Sequence, residues 1–249
     1  MTDKNPPLTL CELADPGVPG LESYSPFCLK VHRALKAAGL PYARRHGTHP
    51  GVFKRYNPAG KVPVLLIGDE PISDSTEILR RIEAMAPGTL MSGDRAAQAE
   101  AWLWEEFADA SLGGFVTAAR WADERNWPTF RKVFFGELPA PVRAVLPVVV
   151  RRRLIRRLVT REVWDEGAER CWSRLEALLD ELEVRAPRDG FWVGGALSVA
   201  DLSLFAHLRS LRIDLTPWQQ GAVRRRAALS AYLDRVDART SGGAAARAA

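Results

Sequence analysis

Asn57-Pro58-Ala59-Gly60-Lys61-Val62-Pro63-Val64-Leu65-Leu66-Ile67, followed shortly by Asp74-Ser75, decides the fold. A loop rich in proline and glycine delivers Val62 to Pro63, and the apolar run that follows at once reads as a buried strand. Proline has no N–H to give a sheet ladder, so Pro63 at a strand entry marks a bend, and X–Pro is where cis peptide bonds occur. A cis Val62–Pro63 bond would turn the Val62 N–H and C=O outward, where an extended peptide can pair with them as an added strand. Ser73-Asp74-Ser75 then opens an apolar periodicity, Ile78, Leu79, Ile82 and Met85, that predicts a helix. Its start presents free N–H groups and the positive end of the helix dipole. Peptide-pairing backbone beside an anion-holding helix start suits a small acidic peptide. As plain structure, the same residues are a strand entry and an N-cap.

Working outward, Leu8–Leu13 alternates as a first strand, and the Pro/Gly-rich segment after it forms a long loop from Ala14 to Tyr24. Ser25-Pro26 starts a helix, with Ser at the cap and Pro in the first turn, where its missing N–H costs nothing. Phe27, Val31, Ala34, Leu35 and Ala38 form its apolar face, and Gly39 ends it. Pro41–His46 reads as a second strand, Val52–Tyr56 as a short helix or turn, Val64–Ile67 as the third strand, and Pro71-Ile72 as a short fourth. Ser75–Ala86 is the next helix. The order is β-α-β-α-β-β-α, closing a domain over residues 1–87.

Residues 88–94 are a linker by composition, and residues 95–237 read as helix. Arg95–Ala122 carries Trp102, Leu103, Phe107 and Ala110 at helical spacing, and Val163–Arg185 is another long helix. Leu197-Ser198-Val199-Ala200-Asp201-Leu202 is a capping box, with Ser at the cap and an acid three residues on. Residues 238–249, small and polar, read as a disordered tail.

The chain has 249 residues, enough for two small domains. Its three cysteines, Cys11, Cys28 and Cys171, cannot all pair, and the N-terminus lacks an apolar signal core, so a reducing cytoplasm is the expected compartment. No run reaches the roughly 18 apolar residues a membrane span needs. The net charge of +5 is mild for this length and does not imply nucleic acid. The charge is nonetheless concentrated. Arg151, Arg152, Arg153, Arg156, Arg157 and Arg161 crowd one segment, interleaved with Leu154, Ile155, Leu158 and Val159 at helical spacing. The plain expectation is a helix with an apolar core face and a solvated basic face. A surface for anionic lipid or an acidic partner is the sharper one. The stretch has no aromatic residue on which a base could stack, which argues against single-stranded nucleic acid.

Three groups near the first helix carry candidate chemistry. Ser25 places a hydroxyl at a helix start, Tyr24 places a phenol beside it, and Cys28 sits one turn inside. The nucleophile in thiol chemistry is the thiolate, and a free thiol with a pKa near 8.5 is only a few per cent ionised at neutral pH. A hydroxyl donating to the anion is worth about 1.5–3 kcal/mol, and a helix start adds up to about 2 kcal/mol. Together they can lower a thiol pKa by about two units without a metal or a general base. Neither the four histidines nor the cysteines show zinc-like spacing, so no metal is expected.

The Val62-Pro63 and Asp74-Ser75 pair, in this order and after Ser25-Pro26-Phe27-Cys28, resembles the glutathione S-transferases over most of the chain. The resemblance implies a thioredoxin-like N-terminal domain (α/β) followed by an all-helical C-terminal domain. It implies glutathione as co-substrate, with Val62 pairing with the cysteinyl backbone, Pro63 as the cis proline, and Asp74 and Ser75 holding the γ-glutamyl end. Lys61 is placed to reach a glutathione carboxylate. Ser-Pro-Phe is similar to the motif of serine-type enzymes, the plant tau class and the bacterial branch near the β-etherases, which makes Ser25 the catalytic residue. The implied partners are a small hydrophobic electrophile, in a pocket where Trp102, Trp104, Phe107 and Trp121 are candidates, and a second copy of the chain. Two other readings stay open. One is a glutathione-dependent thiol–disulfide reductase using Cys28, and the other is a non-catalytic binding protein that docks through its basic segment.

Overall fold

The computed structural model describes residues 6–18, 21–47, 49–91, 93–159, 163–242 and 247–248. The first elements are β1 (Leu8–Leu13), α1 (Pro26–Ala37), β2 (Tyr42–Gly47), a 3-10 turn (Pro50–Phe53), β3 (Val64–Ile67), β4 (Glu70–Ser73) and α2 (Ser75–Met85). β1 runs parallel to β2, with α1 as the crossover, and antiparallel to β3, which turns tightly into antiparallel β4. This is the thioredoxin-like arrangement that the order of elements predicts. The registers set Cys11, Val64 and Ser73 side by side, so the end of β1, the entry to β3 and the exit of β4 share one end of the sheet. β3 buries a continuous apolar run, β1 buries Leu8, Leu10 and Cys11 beside it, and Val31 and Leu35 of α1 and Ile78 and Ile82 of α2 are buried in the same unit.

The helices that follow are α3 (Arg95–Phe107), α4 (Gly113–Thr117), α5 (Trp127–Phe135), α6 (Ala140–Val159), α7 (Gly167–Arg185), α8 (Val199–Leu211), α9 (Pro217–Arg224) and α10 (Ala227–Ser241). By internal contacts the chain forms two compact units. The first comprises Met1–Asp109, Pro187–Ser210 and Tyr232–Ala249, and the second comprises Ala110–Ala186 and Leu211–Ala231. In the first unit α8 is buried at every position but Arg209. Its capping box forms as expected. Both Asp201 oxygens are used, Oδ2 by the Ser198 N–H (2.8 Å) and hydroxyl (2.9 Å), and Oδ1 by the Trp192 N–H (2.7 Å) and the Tyr232 hydroxyl (2.8 Å).

Four features differ from the sequence expectation. Arg95–Ala122 is helical throughout but is interrupted by two π stretches, Ala108–Leu112 and Ala118–Ala122. Gly114, between them, is required by close packing, since a β-carbon there would stand 2.6 Å from Val163 Cγ2. α7 starts at Gly167 rather than at 163, because Gly167 has a φ of +82°, outside helical space. α10 runs four residues into the expected tail. Thr240 is buried, its hydroxyl bonds the Val236 carbonyl (2.7 Å) and accepts from Arg33 (3.2 Å), and composition alone cannot register that anchoring. The last difference is in α6, where the expected apolar face forms, with Leu158 buried, Leu154 and Ile155 half-buried and Arg152, Arg153, Arg156 and Arg157 exposed, but the first half of the helix leaves aliphatic residues outside. Pro147 and Leu158 point inward, and Arg151 turns in to bond the carbonyls of Trp121 (2.7 Å) and Ala122 (3.2 Å) while its guanidinium lies over Trp127. Val142, Val145, Val148 and Val149 of the same helix are left exposed.

The loop before α1 is tied down through Glu22, which bonds Lys36 (2.5 Å) and Arg33 (3.1 Å). Burial pushes the Glu22 carboxyl up, but the Arg33 guanidinium and the Lys36 ammonium outweigh it and hold the group at about 2. The ordinary value is 4.5, so this contribution is fully present above pH 4.5 and is lost as pH falls from 4.5 towards 2. Acid melting of Glu22→Gln is therefore expected to show a shallower loss of stability across that window than wild type. Parallel curves would mean that the ion pairs do not link to folding.

Candidate functional site

The shared end of the sheet gathers the residues singled out in the sequence. Ser25 caps α1 where the chain returns from the end of β1, Val62-Pro63 leads into β3, and Asp74-Ser75 follows the exit of β4. All belong to the first unit. α1 packs against α2, and Lys30 near the start of α1 and Thr76 at the start of α2 bond the same Glu105 oxygen, which brings the two helix starts together.

Ser25 is in extended backbone, and its Oγ accepts the Cys28 N–H at 3.4 Å while its own N–H donates to Ser23 Oγ at 3.3 Å. As an N-cap, Ser25 uses only a hydroxyl lone pair, so the cap itself does not consume the O–H hydrogen. Capping and donation to an anion are therefore compatible in one hydroxyl.

The Val62–Pro63 bond is cis. Val62 packs against a buried cluster of Cys11, Phe53, Val64 and Leu66. Among the described residues its main chain makes no hydrogen bond, which leaves both groups free to pair with an extended peptide. Asn57 shapes the approach. Its amide nitrogen donates to the Lys61 carbonyl (3.1 Å), and its oxygen accepts from Ala59 N–H (3.1 Å). Lys61 itself is exposed.

Asp74 is the one non-glycine residue with positive φ among the described residues, at φ 80° and ψ 126°. Such backbone costs about 1–3 kcal/mol and is concentrated at ligand-holding positions. The carboxylate offsets part of this by accepting from Thr76 N–H (2.9 Å) and Glu77 N–H (3.4 Å). Asp74 remains exposed, so its carboxylate is also accessible to an ammonium, and the neighbouring Ser75 is buried.

A network that the sequence reading missed ties the two helix starts together. Lys30 of α1, fully buried, bonds Glu105 (2.5 Å) and Asp109 (2.6 Å), and Glu105 also accepts from the Thr76 hydroxyl (2.8 Å) at the start of α2. One carboxylate thus links the helix bearing Ser25 to the helix bearing Asp74 and Ser75. Burial raises the Asp109 carboxyl to about 6, with Lys30 opposing and Glu105 adding to the rise. The available signal was a lysine on the apolar stripe of α1, between Phe27 and Val31.

Cys28 is completely buried, and burial, with Glu12 adding to it, pushes its thiol far above the ordinary range. That is the environment of a packing residue rather than of a nucleophile. The Tyr24 hydroxyl donates to the Pro16 carbonyl at 3.5 Å. The aromatic candidates are engaged in packing. Trp104 meets Phe107 and Trp192 edge-on at 5.4 and 5.2 Å, and Arg80 covers Trp102. Trp121, in the second unit, sits among Trp127, Phe130, Phe134 and Phe135.

Two family models match the chain: glutathione S-transferase, N-terminal domain, over residues 24–85, and glutathione S-transferase, C-terminal domain, over residues 165–235. Glutathione S-transferase 4 of Zea mays is 27% identical over 225 residues, covering 82% of this chain and 86% of the maize protein. Among solved structures, a glutathione S-transferase from Rhodospirillum rubrum superimposes with a TM-score of 0.63 at 21% identity, covering 94% of this chain and 89% of that one. A glutathione transferase family member from Pseudomonas fluorescens with two glutathione bound gives 0.60 at 17% identity, covering 94% and 91%. β-etherase LigF from Sphingobium sp. gives 0.53 at 20% identity, covering 92% and 99%. At these identities the structural likenesses speak for the fold.

Proposed function

The chain belongs to the glutathione S-transferase family, and from that premise we propose that it is an enzyme in which Ser25 activates the thiol of glutathione for attack on a hydrophobic electrophile. The observation that carries this reading is the gathering of a capping hydroxyl, an unpaired strand-entry backbone and a strained acidic helix cap at one end of the sheet. Val62 pairs with the cysteinyl backbone of glutathione, Asp74 takes its γ-glutamyl ammonium, Ser75 takes its carboxylate with help from the α2 dipole, and Lys61 reaches the glycyl end. The thiol then lies towards Ser25. Its proton leaves to solvent, the Ser25 O–H donates to the sulfur anion, and the thiolate forms a C–S bond while the leaving group departs with its electron pair. A homodimer in the cytoplasm belongs to the same reading.

Cys28 offers no comparable route to thiol–disulfide exchange, since its thiol is buried and held protonated. The deciding measurement is glutathione affinity together with turnover against chloronitrobenzene, isothiocyanate, hydroperoxide, disulfide and aryl-ether substrates. Conjugation or ether cleavage supports the proposal. Turnover with disulfides alone, abolished in Cys28→Ser, would transfer the role to Cys28, and glutathione binding without any turnover would leave a binding protein.

Asp74→Ala and Ser75→Ala are each expected to weaken glutathione binding by about 1–3 kcal/mol, since each removes a partner of a charged group. Asp74→Asn keeps an oxygen for the cap, so it separates lost charge from a frayed helix. Calorimetry showing native affinity in both alanine variants would remove these residues from the site.

A further inference from the structure

We infer that α6 is a docking surface for anionic lipid, a role separate from the glutathione site. One face of this helix carries Val142, Val145, Leu146 and Val149 and then Arg152, Arg153 and Arg156, at steps of three and four residues. The face is outward, with Val145 62% and Val149 56% exposed, and Arg152, Arg153 and Arg156 exposed beyond them. Four neighbouring aliphatic side chains in water are an unfavourable arrangement for a helix that could have turned them inward. The inward positions are instead held by Pro147, Leu158 and the bonded Arg151, with Leu154 and Ile155 half-buried beside them. The packing thus fixes the aliphatic row on the outside.

Charge selects the occupant. α6 contains no Asp or Glu, and among the described residues Arg152, Arg153 and Arg156 form no ion pair. A second copy of the helix would bring arginine against arginine, or bury guanidinium groups on valine without a countercharge, and burying an unpaired charge is costly. A lipid surface with acidic headgroups satisfies both halves of the face. Phosphates take the guanidinium groups, and the acyl boundary takes the aliphatic row. The row from Val142 to Val149 runs about 10 Å along the helix, two turns of continuous aliphatic contact for a helix lying in the interface. Among the described residues no helix is long and apolar enough to cross a membrane, so the attachment is peripheral.

Co-sedimentation with vesicles of phosphatidylglycerol and phosphatidylcholine in equal parts tests this on the full chain, with pure phosphatidylcholine vesicles as reference. Wild type is expected to pellet with the acidic vesicles at low salt and to be released near 1 M salt, where the screening length falls to about 3 Å. An arginine near such a surface contributes about fivefold to partitioning, so replacing Arg152, Arg153 and Arg156 together with Gln should lower it about 100-fold. Replacing Val145 and Val149 with Ser keeps every charge and should still lower it at least about tenfold, because the aliphatic contact is lost. Both sets lie on the exposed face, and unchanged thermal melting confirms that they fold. Three results overturn the inference: no pelleting at low salt, equal pelleting with pure phosphatidylcholine, or pelleting indifferent to the serine pair. Capture by polyglutamate but not by acidic vesicles also overturns it and assigns the face to an acidic protein. None of these readouts involves glutathione, so the result is independent of the proposed activity.

Discussion

Ser25→Ala is expected to return the thiol of bound glutathione towards its free pKa and to cut turnover at pH 7 about 10- to 100-fold, with little change in affinity. A thiol with a pKa near 8.5 is about 3% thiolate at pH 7, and one lowered by about two units is about three-quarters thiolate. The hydroxyl donates more strongly to the anion than to the neutral thiol, so its removal disfavours the charged form. A less acidic thiolate is intrinsically a better nucleophile, which returns part of the loss, while a sulfur no longer oriented by a hydrogen bond adds to it. The deficit should shrink as pH rises past 8.5, where solvent supplies the thiolate unaided. The cap contributes about 1 kcal/mol to α1, so the variant should melt slightly earlier without losing its fold. Ultraviolet titration of the glutathione complex reads the thiolate directly. Superimposable curves for wild type and Ser25→Ala would exclude Ser25 from the role.

The second large effect is on folding. Asp201→Ala strands four donors, the N–H groups of Trp192 and Ser198 and the hydroxyls of Ser198 and Tyr232. Each unsatisfied buried group costs about 1–3 kcal/mol, so the sum is on the order of 4 kcal/mol or more, against a typical total stability of about 5–15 kcal/mol. A drop in melting temperature of about 10 °C or more, or failure to express as folded protein, is the expected outcome. Asp201→Asn keeps one accepting oxygen but turns an NH₂ towards two donors, so it should recover only part of the loss. Tyr232→Phe removes one donor along with its demand and should cost about 1 kcal/mol. Any folded fraction of Asp201→Ala should bind glutathione normally, which marks Asp201 as structural. A native melting temperature for Asp201→Ala would contradict the network.

The sequence displayed local chemistry well and long-range pairing poorly. Val62-Pro63, the Ser25 cap and the Ser198–Asp201 box each use residues at most three apart, so their signatures survive in the linear text. Lys30 and Glu105 are 75 positions apart, and nothing near either residue announces the other. In α6 the basic half was legible, with Leu154, Ile155 and Leu158 turned in and the arginines beside them out. The exposed aliphatic row before it was not, because the inward contact of Arg151 is made to the distant carbonyls of Trp121 and Ala122. Thr240 shows the same effect at the tail, where an anchor from α1 keeps a helix going that composition alone would end.

The two π stretches bear on how this chain should be compared with its relatives. A π turn accommodates one residue more than the α ladder around it, without a loop to reveal the insertion. A relative whose corresponding helix is straight would fall out of step by one position within 108–112 and by a second within 118–122. Side chains beyond Ala122 that share a column in a gap-free alignment would then occupy different faces in space. Assignments of substrate-selecting residues carried across that stretch should be made from superposed backbones, with single-residue gaps placed inside the helix where sequence comparison ordinarily forbids them.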